Sequence, residues 1–202
     1  MKQDNIIPKT DTDVILNKSG YDLFEEYLKM IEFANFNFNN YILDLATGTG
    51  RASSVLSRLG YKVITGDFNY KMKEESEKRI TKEYLNKILF VQLNMENIPF
   101  YNDSVDNIIC LNTIHELENP LKCLIELFRI YSGKGKMLIA DFNLSGFNIM
   151  DEIYKQRYGN IHSRGKLDNN QLLKILNNNS FVIKKIECSL NSGFLIEGKL
   201  YA

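Results

Sequence analysis

From residue 41 onward, short apolar runs alternate with longer polar stretches in which apolar residues recur at helical spacing. Residues 42–45, 62–67, 88–93, 105–111 and 136–141 are runs rich in Ile, Val and Leu, and they read as buried strands. Between them, 52–59 and 120–130 carry a helical pattern, the latter with Leu121, Leu124, Ile125, Leu127 and Phe128. The charged stretch 70–84 also reads as helix. Strands separated by helices of this length predict an α/β, doubly wound parallel sheet covered on both faces.

The two ends of the chain break this rhythm. Residues 21–31 (Tyr-Asp-Leu-Phe-Glu-Glu-Tyr-Leu-Lys-Met-Ile) predict an amphipathic helix ahead of the sheet, so residues 1–40 are a candidate lid. Residues 143–168 are polar and read as an irregular segment, a candidate cover for an acceptor pocket. A helix at 170–176 precedes two strands, 181–188 and 193–199, joined by a short loop. A loop that short permits an antiparallel hairpin and forbids a parallel crossover. With no repeat and no linker, residues 1–202 are expected to form one domain.

Composition narrows the classes. Lys+Arg and Asp+Glu balance at 25 each, so no net field draws nucleic acid or an anionic membrane. Cys110, Cys123 and Cys188 are odd in number and far apart, which favours reduced thiols over a disulfide or a cysteine metal site. Residues 1–9 lack the apolar core of a leader, and no apolar run reaches the roughly 18 residues of a membrane span. A soluble, cytoplasmic protein is expected.

The chemistry concentrates where the predicted strands end, which is where open parallel sheets bind ligands. Strand one runs into Asp44-Leu-Ala46-Thr47-Gly48-Thr-Gly50, an acid followed by a glycine-punctuated turn. Glycines at 48 and 50 suit a sharp bend lying close to a ligand. The Asp44 carboxylate would repel a pyrophosphate and attract an amine or sulfonium. A dinucleotide loop would need a third glycine where Ser53 stands. Asp67 closes strand two about twenty residues later, where an acid can grip ribose hydroxyls. Asn94-Met95-Glu96 follows strand three, and Leu111-Asn112-Thr-Ile-His115 follows strand four.

These motifs together resemble the class I S-adenosylmethionine-dependent methyltransferases. That family's first motif usually reads acid-x-Gly-x-Gly-x-Gly, and residues 44–50 match it with Ala46 in the first glycine's place. The resemblance implies a Rossmann-like, mostly parallel seven-stranded sheet with an antiparallel C-terminal hairpin. It also implies S-adenosylmethionine as cofactor and S-adenosylhomocysteine as product. The cofactor would be held by Asp44, Ala46, Thr47, Gly48, Gly50, Asp67, Phe68, Asn94, Met95, Leu111 and Asn112. In that picture Asp67 takes the ribose hydroxyls and Phe68 packs on the adenine. Asn94, where the family commonly has aspartate, would accept from the adenine amino group through its amide oxygen. Ala46 is tolerable there if its backbone keeps a negative φ.

An in-line methyl transfer asks the protein mainly to align the reactants and exclude water. His115 is the placed candidate for a base, should the acceptor arrive protonated. His162, in 158–164, is a candidate acceptor contact, although an exposed loop histidine is the plainer expectation. Tyr21 is a second acceptor-side candidate. A magnesium site of Asp141 and Asn143 lacks its partner acid after strand four, so no metal is expected. Residues 112–115 lack the Asn/Asp-Pro-Pro-Tyr signature of enzymes that methylate bases or protein amides, and no basic tract suits RNA. The resemblance is nearest to the small-molecule, ubiquinone/menaquinone-type group. The alternative on the same fold is a non-catalytic cofactor-binding partner.

Overall fold

A computed structural model describes residues 6–179 and 181–199, with the side chain of Lys199 excepted. Residues 1–5, which include much of the stretch read for a leader, lie outside it, as do 180 and 200–202. Seven strands form one sheet in the order β3-β2-β1-β4-β5-β7-β6. They are β1 (Ile42–Leu45), β2 (Val63–Asp67), β3 (Ile88–Gln92), β4 (Asn107–Leu111), β5 (Lys136–Phe142), β6 (Phe181–Glu187) and β7 (Asn191–Lys199). The first five pair in parallel, while β7 runs antiparallel to both β5 and β6. The seven strands and the antiparallel hairpin agree with the expected fold class.

Period-two geometry explains why the central strands read as continuous apolar runs. Leu43, Ile108, Cys110, Met137 and Ile139 face one core, under α5 (Pro120–Ile130) and α7 (Asn169–Asn178). Ile42, Ile109, Leu111, Leu138 and Ala140 face the other, under α2 (Leu23–Ala34) and α3 (Arg51–Leu59). Every residue of β1 and β4 is therefore buried. Cys110 and Cys123 are buried, and all three cysteines are free.

Three segments differ from the sequence reading. The stretch 70–84 is divided: α4 covers Met72–Ile80, Thr81 turns at φ 69°, and a 3-10 turn takes Lys82–Lys87. The supposedly irregular segment contains α6, Leu144–Tyr158. Asn143 caps it by accepting from the Gly146 N–H at 3.0 Å, and Gly159 ends it at φ 74°. Its apolar stripe is thin, with Met150 and Ile153 as the buried side chains, which is why the periodicity hid it. At the other end, α2 begins at Leu23, and a further helix, α1 (Asp11–Lys18), precedes it. A capping box starts α1: the Thr10 hydroxyl accepts from the Asp13 N–H, and the Asp13 carboxylate accepts from the Thr10 N–H at 2.8 Å. Leu16, Leu23, Phe142, Met150, Ile153 and Leu190 form a small third core that joins α1 and α6 at the carboxyl end of the sheet.

One polar clamp secures α1. Asp13 is buried between Arg51 of α3 and Arg79 of α4, at 2.8 and 2.6 Å. Burial pushes its carboxyl up, but the two guanidinium groups outweigh this and hold it below the ordinary range. Among the described residues, no helix is long and apolar enough to cross a membrane.

Candidate active site

The strand order reverses between β1 and β4, and a cavity of about 300 Å³ opens there. Its floor is Asp44, Ala46, Thr47 and Gly48, with Asp67, Leu111, Asn112 and His115 beside them. Thr10 and Thr12 reach it from the α1 side, Tyr27 from α2, and Tyr154 and Tyr158 from α6. The N-terminal segment and the 143–168 segment thus both wall the cavity.

Period two turns Asp44 toward α3, where Ser53 donates its hydroxyl to the carboxylate and Thr65 donates at 3.0 Å. Burial dominates even so and raises the carboxyl to about 6. Thr47 N–H donates to the Gly66 carbonyl at 3.0 Å, tying the turn to β2. The two glycines of the turn serve different ends. Gly48, at φ 49°, has no atom of the described residues beyond its chain neighbours closer than 3.9 Å to where a Cβ would stand, so its missing side chain leaves room in the cavity. A Cβ on Gly50 would stand 2.7 Å from the Ser76 Cβ of α4. Gly50 does not line the cavity; its lack of a side chain lets α3 and α4 pack.

Ala46 departs from expectation: its φ is +58°, in the left-handed region, not the negative φ that would make alanine harmless. A non-glycine residue there carries about 1 kcal/mol of strain. We expect Ala46→Gly to raise stability by about that amount, read by thermal or urea unfolding. A lower stability for the variant would show that the Ala46 methyl packs well enough to offset its backbone.

Asp67 links the turn to the second strand end. One carboxylate oxygen accepts from the Gly48 N–H at 2.9 Å and the other from the Asn69 N–H at 2.9 Å. Each oxygen keeps a lone pair for a ligand hydroxyl. A neighbouring pocket of about 340 Å³ is bounded by Ala46, Asp67, Phe68, Asn94 and Met95. Phe68 is 71% exposed, a ring held over this pocket with little of its surface covered. The Asn94 amide oxygen already accepts from the Glu96 N–H at 2.9 Å, leaving one lone pair. Asn112 lies in the first cavity at φ 49°, and both its side-chain nitrogen and oxygen are buried without a hydrogen-bond partner among the described residues. A buried amide left unpaired is costly unless a ligand satisfies it.

His115 is buried on the 3-10 turn after β4. Its Nδ1 donates to the Asp141 carboxylate at 2.5 Å, and its main-chain N–H donates to the other oxygen of that acid at 2.9 Å. Nε2 is buried without a hydrogen-bond partner. Burial opposes the imidazolium, but Asp141 and Glu116 outweigh it and raise the ring to about 9. A ring that holds its proton so firmly is a poor base at neutral pH and a good donor to an oxyanion.

His162 was expected on an exposed loop, yet it is 4% exposed and its ring centroid lies 5.0 Å from that of His115. The segment after α6 folds back over the β4 turn, and Gly165 lies so close that a Cβ would stand 2.4 Å from the His115 carbonyl oxygen. Glu116 joins the two histidines, with its Oε1 3.7 Å from His115 Nε2. The expectation of no metal concerned Asp141 and Asn143, and His115, Glu116 and His162 are a different group. Tyr21 does not line the cavity; it packs against the third core. Tyr27, Tyr154, Tyr158 and Glu116 take the places that sequence reasoning missed. Tyr154 and Tyr158 are four apart on one helix face, a signal that recognising α6 would have exposed.

Residues 43–139 match a family described as methyltransferase domain. The chain is 30% identical over 117 residues to a ubiquinone/menaquinone biosynthesis C-methyltransferase UbiE of Blochmanniella pennsylvanica, covering 56% of this chain and 46% of that protein. It is 32% identical over 102 residues to a demethylmenaquinone methyltransferase of Clavibacter sepedonicus, covering 50% and 41%. The matched part thus spans less than half the length of either relative. In fold, it is similar to a SAM-dependent methyltransferase from Aquifex aeolicus, with TM-score 0.66, 22% identity, and 93% and 98% of the two chains covered.

Proposed function

We propose that this chain is a class I S-adenosylmethionine-dependent methyltransferase that methylates a small-molecule acceptor in the cytoplasm from a single domain. The observation that carries this reading is a single juxtaposition. The 46–48 turn and Asp67, joined by the 2.9 Å bond from Gly48, open onto the same cavity as the unpaired Asn112 amide and His115 Nε2.

The residues present fit the cofactor. Asn112 offers a donor and an acceptor with no partner among the described residues, and Gly48 leaves space where a side chain would stand. Asp67 would take the ribose hydroxyls, with Phe68, Asn94 and Met95 bounding the adenine. Asp44 and the Ala46–Thr47 backbone supply negative potential for the methionine end, beside Leu111 and Asn112. Gly50 would act indirectly, by seating α3. S-adenosylmethionine, when bound, supplies a methyl on a sulfonium that departs as a neutral thioether.

What the chain adds is alignment and dryness. The Asp13 clamp holds α1 across the cavity, and α6 with its following segment closes the acceptor side, so both walls exclude water. We assign His115 to the acceptor, with Asp141 as its positioning residue and His162 beside it. Tyr21 would act only through the core that joins α1 to α6.

The experiment is turnover with methyl-labelled S-adenosylmethionine and a panel of phenolic, enolic and amine acceptors. Labelled product together with S-adenosylhomocysteine is the expected result. Tight cofactor binding without any transfer across the panel would point instead to a cofactor-binding partner.

A further inference from the structure

We propose that His115, Glu116 and His162 bind one divalent transition-metal ion, whose open positions take an anionic oxygen of the acceptor. One ligand atom from each of the three side chains lies within 4.8 Å of the others, and all three residues line the cavity. Two imidazoles and one carboxylate form a donor set suited to zinc, manganese or ferrous iron.

The hydrogen bonds behind the rings make this more than a cluster. His162 Nδ1 lies 2.8 Å from the Ser163 carbonyl, which can only accept, so that nitrogen carries the hydrogen. His115 Nδ1 is likewise committed to Asp141. In the neutral form of both rings the lone pair available for a metal is therefore on Nε2, and an ion binding there would displace the His115 Nε2 proton to solvent. Backbone carbonyls and carboxylates in these positions are the usual means of orienting metal-binding histidines. His115 Nε2 is buried in the cavity wall and makes no hydrogen bond among the described residues, with the Glu116 carboxylate at 3.7 Å. A metal would satisfy it.

The three ligand atoms, all within 4.8 Å of one another, would close by up to about 1.5 Å around an ion. Bonds of about 2.1 Å set neighbouring ligand atoms about 3 to 3.5 Å apart. The His115 Nε2 to Glu116 Oε1 separation is 3.7 Å, and the Glu116 side chain, 62% exposed, can turn to close it. The histidines themselves are held: Asp151 accepts from the His162 N–H at 3.1 Å and pairs with Arg164 at 2.5 Å. Three protein ligands leave positions open on the cavity side, as in catalytic metal sites. There the ion would lower the pKa of an acceptor hydroxyl, whose proton would pass to solvent, and hold the resulting phenolate or enolate. The metal site rests on the chain's own residues, while the acceptor half rests on the methyl-transfer reading.

The test uses the full chain, stripped with chelator and titrated with cobalt(II) while its visible ligand-field absorption is followed. One equivalent with defined bands is expected, and Glu116→Gln and His162→Ala should each weaken binding at least about tenfold. Glu116 is a surface side chain, so its variant remains informative if His162→Ala does not fold. Absence of bands, or affinity unchanged in Glu116→Gln, overturns the site. Catechol added as a probe oxygen ligand should shift the bands, and unchanged bands overturn the acceptor half. A parallel S-adenosylhomocysteine titration separates the two readings. Cofactor binding without cobalt binding removes only the metal, whereas cobalt without cofactor removes the methyl-transfer reading.

Discussion

Asp67→Ala should lower affinity for S-adenosylmethionine about 100-fold while leaving the protein folded. Both oxygens of this carboxylate point main-chain N–H groups into place, from Gly48 and Asn69, and both retain a free lone pair at the cavity edge. Hydrogen bonds to a charged group contribute about 1.5 to 3 kcal/mol each, so losing a pair of ribose contacts costs about 3 kcal/mol or more. Asp67 is half-buried at a strand end, outside the apolar cores, so unfolding should change little. Calorimetric titration of both proteins with S-adenosylhomocysteine measures the difference. An unchanged dissociation constant would remove Asp67 from the site.

Asp44→Asn should do the opposite to stability. Burial raises the Asp44 carboxyl from 3.8 to about 6, so the folded protein binds that proton more tightly than the unfolded chain does. Its contribution is therefore most favourable below pH 4 and is lost as pH rises from about 4 to about 6. Above that window the charged carboxylate costs about 3 kcal/mol. Asparagine keeps an acceptor for Ser53 and Thr65 and carries no charge. Its stability advantage should grow from under about 1 kcal/mol at pH 4 to about 3 kcal/mol at pH 8, or about 6 to 12 °C in Tm. The same variant should bind S-adenosylmethionine about tenfold more weakly at pH 8, because a buried negative charge facing a cation is lost. Thermal unfolding across that pH range checks the first effect, and a pH-independent difference would contradict it. The wild type thus keeps a destabilising charge where a cationic ligand is to bind.

How much of this was readable depended on the range of the interactions. The central strands were visible because burial on both faces makes them continuous apolar runs, as in Ile42–Leu45 and Asn107–Leu111. The terminal hairpin was visible because its connection is too short for a crossover. The glycine turn and Asp67 were visible because their spacing along the chain is itself the motif. α6 was hidden by its thin apolar face, although Asn143 and Gly159 were cap signals at its two ends. α1 likewise announced itself through Thr10 and Asp13. The burial of His162 was not legible, since it follows from the chain folding back until Gly165 meets the His115 backbone. The Asp13 clamp joins residues 38 and 66 apart and leaves no local pattern. For the same reason the His115, Glu116 and His162 group emerges only in three dimensions.

The most direct measurement is a calorimetric titration of the purified protein with S-adenosylhomocysteine, run beside NADH. One equivalent of the thioether should bind and the nicotinamide should not. Heat from NADH alone, or from neither compound, would contradict an adenosyl-sulfonium site at the β1–β4 reversal.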